Sequence, residues 1–176
     1  ICIGRAMKQK GTGEYLDMAE IIKKEFPNTE FHVLGACDDG EYEERIKKMH
    51  KEGTIVYDGV TTDVRPYIHN VHCTVHASYY PEGMSNVLLE SCASGRAIIT
   101  TSRPGCGEIV DEGINGFITR PHDVEDLCNQ VRKFLALSPD DRVSMGKAAR
   151  AKVEKEFDRQ IVVNKYLKEI EFIKSM

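Results

Sequence analysis

Two short stretches of this chain carry side chains able to handle a diphosphate and the hydroxylated groups attached to it. The first runs Gly4-Arg5-Ala6-Met7-Lys8-Gln9-Lys10-Gly11-Thr12-Gly13. Arg5 offers a planar fork of donors and Lys10 a compact ammonium, both suited to phosphate oxygens. The spacings G-x-G-x-x-G and G-x-x-x-x-G-K-[ST] are absent, so the dinucleotide and P-loop readings lose their main support. On this stretch alone the two cations are as well explained as solvated surface charges. The second stretch runs Ser78-Tyr79-Tyr80-Pro81-Glu82-Gly83-Met84-Ser85-Asn86 and leads into a helical pattern. Gly83 lets a ligand approach the main chain. The amides of Gly83, Met84, Ser85 and Asn86, with Val87 next in line, form a helix start that can receive phosphate oxygens. Glu90 falls inside that helix, where a carboxylate can accept bonds from both hydroxyls of a ribose. Glu82 stands just before it, near whatever is attached beyond the second phosphate. Taken by themselves, two such glutamates are more often ordinary capping and surface residues.

The elements that must position these groups alternate between short β-rich runs and segments of helical period, the pattern of a parallel sheet covered by helices. Strands are expected over Ile1 to Gly4, Glu30 to Gly35, Thr54 to Tyr57, Val71 to His76, Ala97 to Thr100 and Gly116 to Thr119. Between the first two, Tyr15, Met18, Ala19, Ile22 and Phe26 recur at helical spacing until Pro27. Further helices follow from Tyr42, Ile46 and Met49, from Val64, Tyr67 and Ile68, from Val87, Leu88 and Cys92, and from Val124, Leu127, Val131 and Phe134. Two charged helical segments, about residues 140–157 and 158–174, end the chain and are expected to wrap the outside. The fold class is therefore α/β: one doubly wound, Rossmann-like parallel sheet of about six strands with two extra C-terminal helices, spanning residues 1–176 as a single domain. In such sheets ligands bind beyond the carboxyl ends of the strands, where strand order reverses, usually between the first and fourth strands. That rule selects the two stretches above.

Composition narrows the partners. With 24 Lys and Arg against 28 Asp and Glu, the formal net charge is -4, so nothing global attracts a nucleic acid and any phosphate-binding charge must be local. The 6 cysteines are scattered without a C-x-x-C pair and read as reduced core or loop thiols, pointing to a cytoplasmic setting. No apolar run approaches the roughly 20 residues of a membrane span. The opening Ile1-Cys2-Ile3-Gly4 lacks an initiator Met and reads like the tail of a buried strand, the expectation being a piece of a longer polypeptide. His69, His72 and His76 lack the fixed Cys or carboxylate that would complete a zinc set. Glu82 and Glu90 do not suit a glycosidase pair, since one lies within a helix behind a phosphate cradle. Glu108 could equally bind a sugar or start a short helix, and Cys106 has no paired base in sequence.

Glu82-Gly83-Met84-Ser85-Asn86-Val87-Leu88-Leu89-Glu90 forms an E-x7-E motif and, with Ser91-Cys92-Ala93-Ser94-Gly95-Arg96, closely resembles glycosyltransferase family 4. Gly4-Arg5 through Lys10-Gly11 resembles the family's G-R-x4-K-G segment. Pro104-Gly105-Cys106-Gly107-Glu108 resembles its glycine-containing loop, and Asp111-Glu112-Gly113-Ile114-Asn115-Gly116-Phe117 its usual continuation. Ala77 departs from the proline many relatives carry there. The resemblance implies the carboxyl-terminal, donor-binding half of a retaining GT-B enzyme, with an amino-terminal acceptor domain absent from this chain. It implies that Arg5 and Lys10 clamp the diphosphate, Glu90 the ribose and Glu82 the transferred sugar, while Tyr57 to Thr61 line the base. It further implies a nucleotide-diphosphate sugar as donor (UDP first, GDP or ADP as alternatives), no metal, and negligible turnover by this piece alone. The narrower likeness is to enzymes of bacterial surface polysaccharide synthesis, with a lipid-linked saccharide as acceptor and a peripheral place at the inner face of the plasma membrane. A non-catalytic sugar-nucleotide-binding or scaffold module, and a sugar-nucleotide epimerase of related fold, are the alternatives.

Overall fold

The structure, a computed structural model, describes residues 1–37, 40–81 and 83–176, leaving aside the side chain of Glu41. Six strands, β1 (Cys2–Ile3), β2 (His32–Leu34), β3 (Val56–Gly59), β4 (Cys73–His76), β5 (Ala97–Thr101) and β6 (Gly116–Thr119), form two parallel ladders, β1-β2-β3 and β4-β5-β6. The expected single sheet is thus divided, because β1 is too short to carry a ladder on both sides. Two hydrogen bonds close the seam: the Ile1 amine donates to the Cys73 carbonyl at 2.9 Å, and the Val75 amide to the Ile1 carbonyl at 2.8 Å. The spatial order is therefore β3-β2-β1-β4-β5-β6, with the reversal between β1 and β4 that the sequence placed there.

Among the described residues the α-helices are α1 (Thr12–Glu25), α2 (Gly40–Lys51), α3 (Arg65–His69), α4 (Asn86–Ala93), α5 (Val124–Ala136), α6 (Pro139–Glu156) and α7 (Arg159–Ser175), of which the first six cover the two faces. The period of two along β5 assigns the faces. Ala97 and Ile99 join Val33, Val75 and Phe117 under α1, α2 and α5, whereas Ile98 turns to Leu88 and Cys92 of α4 and Ala149 and Val153 of α6. Ile1, Ile3 and Leu34 pack with Ile68 of α3 on that second face. β4 and β5 are buried along their whole length, as parallel strands covered on both sides must be. Each fully buried Leu or Ile in these layers contributes about 1.5–3 kcal/mol.

Helix starts carry the expected chemistry. Asp123, Ser138 and Asp158 cap α5, α6 and α7 by accepting from the amides of Asp126, Asp141 and Gln160. α6 packs into the core, but α7 buries none of its residues, so only one of the two terminal helices wraps the domain as expected. β3 also begins later than expected. The amides of Thr54 and Ile55 both donate to the Met49 carbonyl, finishing the turn after α2 instead of entering the ladder. Tyr57 lies in β3, as expected, and the strand runs on to Gly59.

Candidate functional site

At the carboxyl edge the chain leaves β1 through Gly4 and Arg5. The Gly4 amide donates to the Leu34 carbonyl and the Ala6 amide to the Ala36 carbonyl, so Arg5 is held between two bonded neighbours. Its side chain is exposed and forms no ion pair among the described residues. A single 3-10 turn, Lys8–Lys10, follows. Thr12 ties it down: its hydroxyl donates to the Met7 carbonyl at 3.1 Å and accepts from the Met7 amide at 3.0 Å.

This turn is fastened to the segment leaving β4. The Gln9 carbonyl accepts from the Tyr79 amide at 3.1 Å, the Tyr80 amide at 3.2 Å and the Ser78 hydroxyl at 3.3 Å. Gly11 lets the two segments touch. It adopts φ 71°, and a Cβ there would stand 2.2 Å from the Ala77 carbonyl oxygen, closer than any side chain could come. The Lys10 ammonium consequently lies 5.7 Å from the centre of the Tyr80 ring, on the side where the chain turns toward α4. Arg5 and Lys10 are thus brought to the same edge as the segment entering α4. Glu82 lies outside the described residues.

The start of α4 differs in detail from the expected cradle. The Ser85 amide donates to the Gly105 carbonyl at 2.8 Å, and its hydroxyl lies 3.4 Å from His76 Nε2. Ser85 therefore anchors the helix start, and its amide is already engaged. The first intrahelical bond of α4 runs from the Leu89 amide to the Ser85 carbonyl at 3.1 Å, so helix geometry leaves the amides of Asn86, Val87 and Leu88 without an intrahelical acceptor. Gly83 is exposed and Met84 half-buried against the core beneath α4. Glu90 is exposed, about one turn beyond Asn86 on the same side of the helix. An anion at the helix start would meet unpaired amides and the positive end of the peptide dipoles, with the Glu90 carboxylate one turn away.

The remaining expected groups occupy supporting positions. Tyr57 is half-buried, and its hydroxyl donates to the Gly35 carbonyl at 3.0 Å, bracing the turn after β2. Within the Tyr57–Thr61 segment Val60 is 70% exposed and the other four residues are half-buried. Glu108 lies in the 3-10 turn Gly107–Ile109 and accepts the Gly105 amide at 2.9 Å, locking the loop that in turn holds Ser85. His76 is buried beneath α4, while His72 precedes β4 and is exposed. All 6 cysteines are free thiols, and burial pushes those of Cys73 and Cys92 up to about 12 and those of Cys2 and Cys128 up to about 11. Among the described residues no three His, Cys, Asp or Glu side chains gather as a metal site, and no helix is long and apolar enough to cross a membrane.

Several supports carry no signal in one sequence. Gln9 acts through its carbonyl, which any residue would supply. Thr100 and Thr101 fasten the carboxyl end of β4 by donating their hydroxyls to the carbonyls of His76 and Ser78. Tyr79 stacks against His122 with ring centres 3.8 Å apart, and His122 Nδ1 lies 3.4 Å from a Glu14 carboxylate oxygen. Burial first, and the Glu14 carboxylate second, raise the Tyr79 hydroxyl above its ordinary value. His122 holds φ 61°, a left-handed conformation uncommon outside glycine.

Comparison with known proteins gives these positions a setting. Residues 1–152 match the family model described as glycosyl transferases group 1. Among curated relatives, the spore coat protein SA of Bacillus subtilis is 29% identical, covering 94% of this chain and 46% of that protein. The N,N'-diacetylbacillosaminyl-diphospho-undecaprenol alpha-1,3-N-acetylgalactosaminyltransferase of Campylobacter jejuni is 25% identical over 96% of this chain and 43% of its own length. The chain thus spans less than half the length of these relatives. Among solved structures, Anabaena Alr3699/HepE in complex with UDP superposes over 99% of this chain and 48% of its own, with TM-score 0.82 and 20% identity. The C-terminal domain of a group 1 family glycosyl transferase (LpcC) from Francisella tularensis superposes over 89% of this chain and 84% of its own, with TM-score 0.77 and 22% identity. These two structural likenesses bear on the fold, which is that of GT-B glycosyltransferase domains.

Proposed function

The chain belongs to the glycosyl transferases group 1 family, and from that premise we propose that it is the donor-binding half of a glycosyltransferase, holding a nucleotide-diphosphate sugar at the edge between β1 and β4. The observation that carries this reading is the fastening of the Arg5–Lys10 turn to the segment entering α4 through the Gln9 carbonyl. Two cations and a helix start then face one edge from opposite sides. In this reading Arg5 and Lys10 clamp the diphosphate, joined by the amides of Asn86, Val87 and Leu88. Glu90 grips the ribose, the Tyr57–Thr61 segment lines the base, and Glu82 meets the transferred sugar. UDP is the favoured nucleotide, supported by the Anabaena structure, which is a UDP complex.

Transfer breaks the bond between the anomeric carbon and the terminal phosphate oxygen and joins that carbon to an acceptor oxygen. Negative charge grows on the departing diphosphate, and fixed cations with helix amides lower the barrier where it appears. That arrangement fills the role a divalent metal otherwise plays. The acceptor's proton passes to an oxygen of the departing phosphate, on the face it leaves, so configuration at the anomeric carbon is retained. Acceptor-side groups would come from the rest of a longer protein. α7 supports that view: Val163, Tyr166, Leu167, Ile170 and Ile173 recur along it, each at least 42% exposed, as an apolar face without a partner in this chain. The acceptor on this reading is a lipid-linked saccharide, a class written into the name of the Campylobacter relative.

Calorimetry with UDP tests the reading. Saturable binding is expected, weakened about tenfold or more by Arg5→Ala and by Lys10→Ala, because each removes a charge-assisted contact of about 1.5–3 kcal/mol. Binding should persist in excess chelator. Failure of UDP, GDP and ADP alike to bind would overturn the assignment.

A further inference from the structure

A second concentration of positive charge lies at the other end of the sheet. His72, Gly95, Arg96, Pro139, Arg142, Val143 and Lys147 enclose a cavity of about 270 Å³ beside the amino ends of β4 and β5. The lining contains three permanent cations and no carboxylate. Arg96, Arg142 and Lys147 form no ion pair among the described residues, although acidic side chains outnumber basic ones by 28 to 24 in the chain. The nearest acidic groups in sequence, Asp140 and Asp141, sit in the first turn of α6 outside the lining, and Asp141 is bonded to the Ser138 hydroxyl at 2.7 Å.

Two of the cations are fixed before any ligand arrives. Arg96 donates from Nε to the Ile68 carbonyl at 3.0 Å and from Nη2 to the His69 carbonyl at 2.6 Å. Arg142 donates from Nη2 to the Leu135 carbonyl at 2.6 Å, with its guanidinium 5.5 Å from the Phe134 ring centre. Its Nε is buried without a hydrogen-bond partner, a donor that costs free energy until something accepts from it. The wall cannot relax outward easily. Gly146 of α6 rests on Gly95, where a Cβ would stand 2.1 Å from the Gly95 carbonyl oxygen.

We propose that this cavity is an anion site for a small phosphomonoester, its phosphate received by Arg96, Arg142 and Lys147 and its apolar portion lying against Pro139 and Val143. A dianion with three acceptor oxygens matches the three cations of the lining, whereas a carboxylate has only two oxygens to offer them. The cavity exceeds what a bare phosphate fills, which leaves room for the group esterified to it.

Amide chemical shifts of the isotope-labelled chain, titrated with glycerol 3-phosphate in the presence of saturating UDP, provide the test. Shifts at Gly95, Arg96 and Lys147 are expected. Lys147→Glu, at an exposed position, should weaken the binding about tenfold or more while UDP affinity is unchanged, and Arg142→Met should do the same if it folds. Because the same chemistry occurs on a lipid, vesicles of phosphatidylcholine with and without phosphatidic acid form a second arm. Binding to the acidic vesicles alone, lost in Lys147→Glu, would assign the site to a headgroup. Shifts confined to residues 5–13 and 83–88, an unaltered affinity in Lys147→Glu, or no response to either phosphate source would overturn the proposal. A failure of UDP to bind would leave the titration readable, so the two assignments stand or fall separately.

Discussion

The closest approach between the two walls of the edge is made by a residue with no side chain. Gly11, at the start of α1, lies directly against Ala77. Gly11→Ala must both abandon φ 71° and push a methyl into a carbonyl oxygen 2.2 Å away. We expect a loss of about 2–4 kcal/mol in chemical denaturation, combining left-handed strain with overpacking. The surviving folded protein should bind UDP more weakly; unchanged stability would show that the segments separate without cost. At this scale the sequence nominates candidates where a proposed role rests on a side chain: Arg5, Lys10 and Glu90 stand out by type and spacing. It is uninformative where chemistry resides in the main chain. The three donors converging on the Gln9 carbonyl, and the Ser85 amide engaged by Gly105, depend on which loops meet in space. Tyr57 carries a bond that its type and position do not announce, its hydroxyl donating to the Gly35 carbonyl.

Elements are legible through period and caps. The apolar spacing of α1 and α5 marks their extent within a few residues. The sequence identifies α7 as a helix but not as an unwrapped one, because amphipathic spacing states that a face needs covering and not what covers it. Replacing Tyr166 and Ile170 by Ser should leave thermal melting of this chain unchanged, since surface changes usually stay within about 0.5 kcal/mol. If, as proposed, the chain is half of a longer protein that covers α7, the same pair should lower that protein's stability by several kcal/mol, at about 1.5–3 kcal/mol for each apolar side chain newly covered. A drop in the isolated chain would mean instead that α7 folds back upon it. The limits of β3 escape the sequence because a helix carbonyl, that of Met49, competes with the ladder for the amides of Thr54 and Ile55.

For the molecule as a whole, alternating elements announce a doubly wound sheet and the place of its reversal, but not the two-bond seam between its halves. That seam runs past buried Cys73, whose thiol is raised from 9.0 to about 12 by burial, and Cys92 likewise reaches about 12. The direction of the pH effect follows. Below pH 9 both thiols are protonated whether the chain is folded or not; between about 9 and 12 the unfolded chain releases protons that the folded chain keeps, so stability declines as pH rises. Denaturation midpoints should fall across that interval, and Cys73→Ala or Cys92→Ala should flatten the decline even if it lowers stability at neutral pH. A profile equally steep in both variants would assign the alkaline loss to other groups.

The single oxygen of Gln9, beside the Gly11–Ala77 contact, ties the Lys8–Lys10 turn to the segment leaving β4. On the proposed reading, a nucleotide arriving at this edge would find the opposing grips already gathered, because the disorder that assembling them would remove was surrendered when the chain folded. Substitutions in one segment should therefore be felt by parts of the ligand that touch only the other.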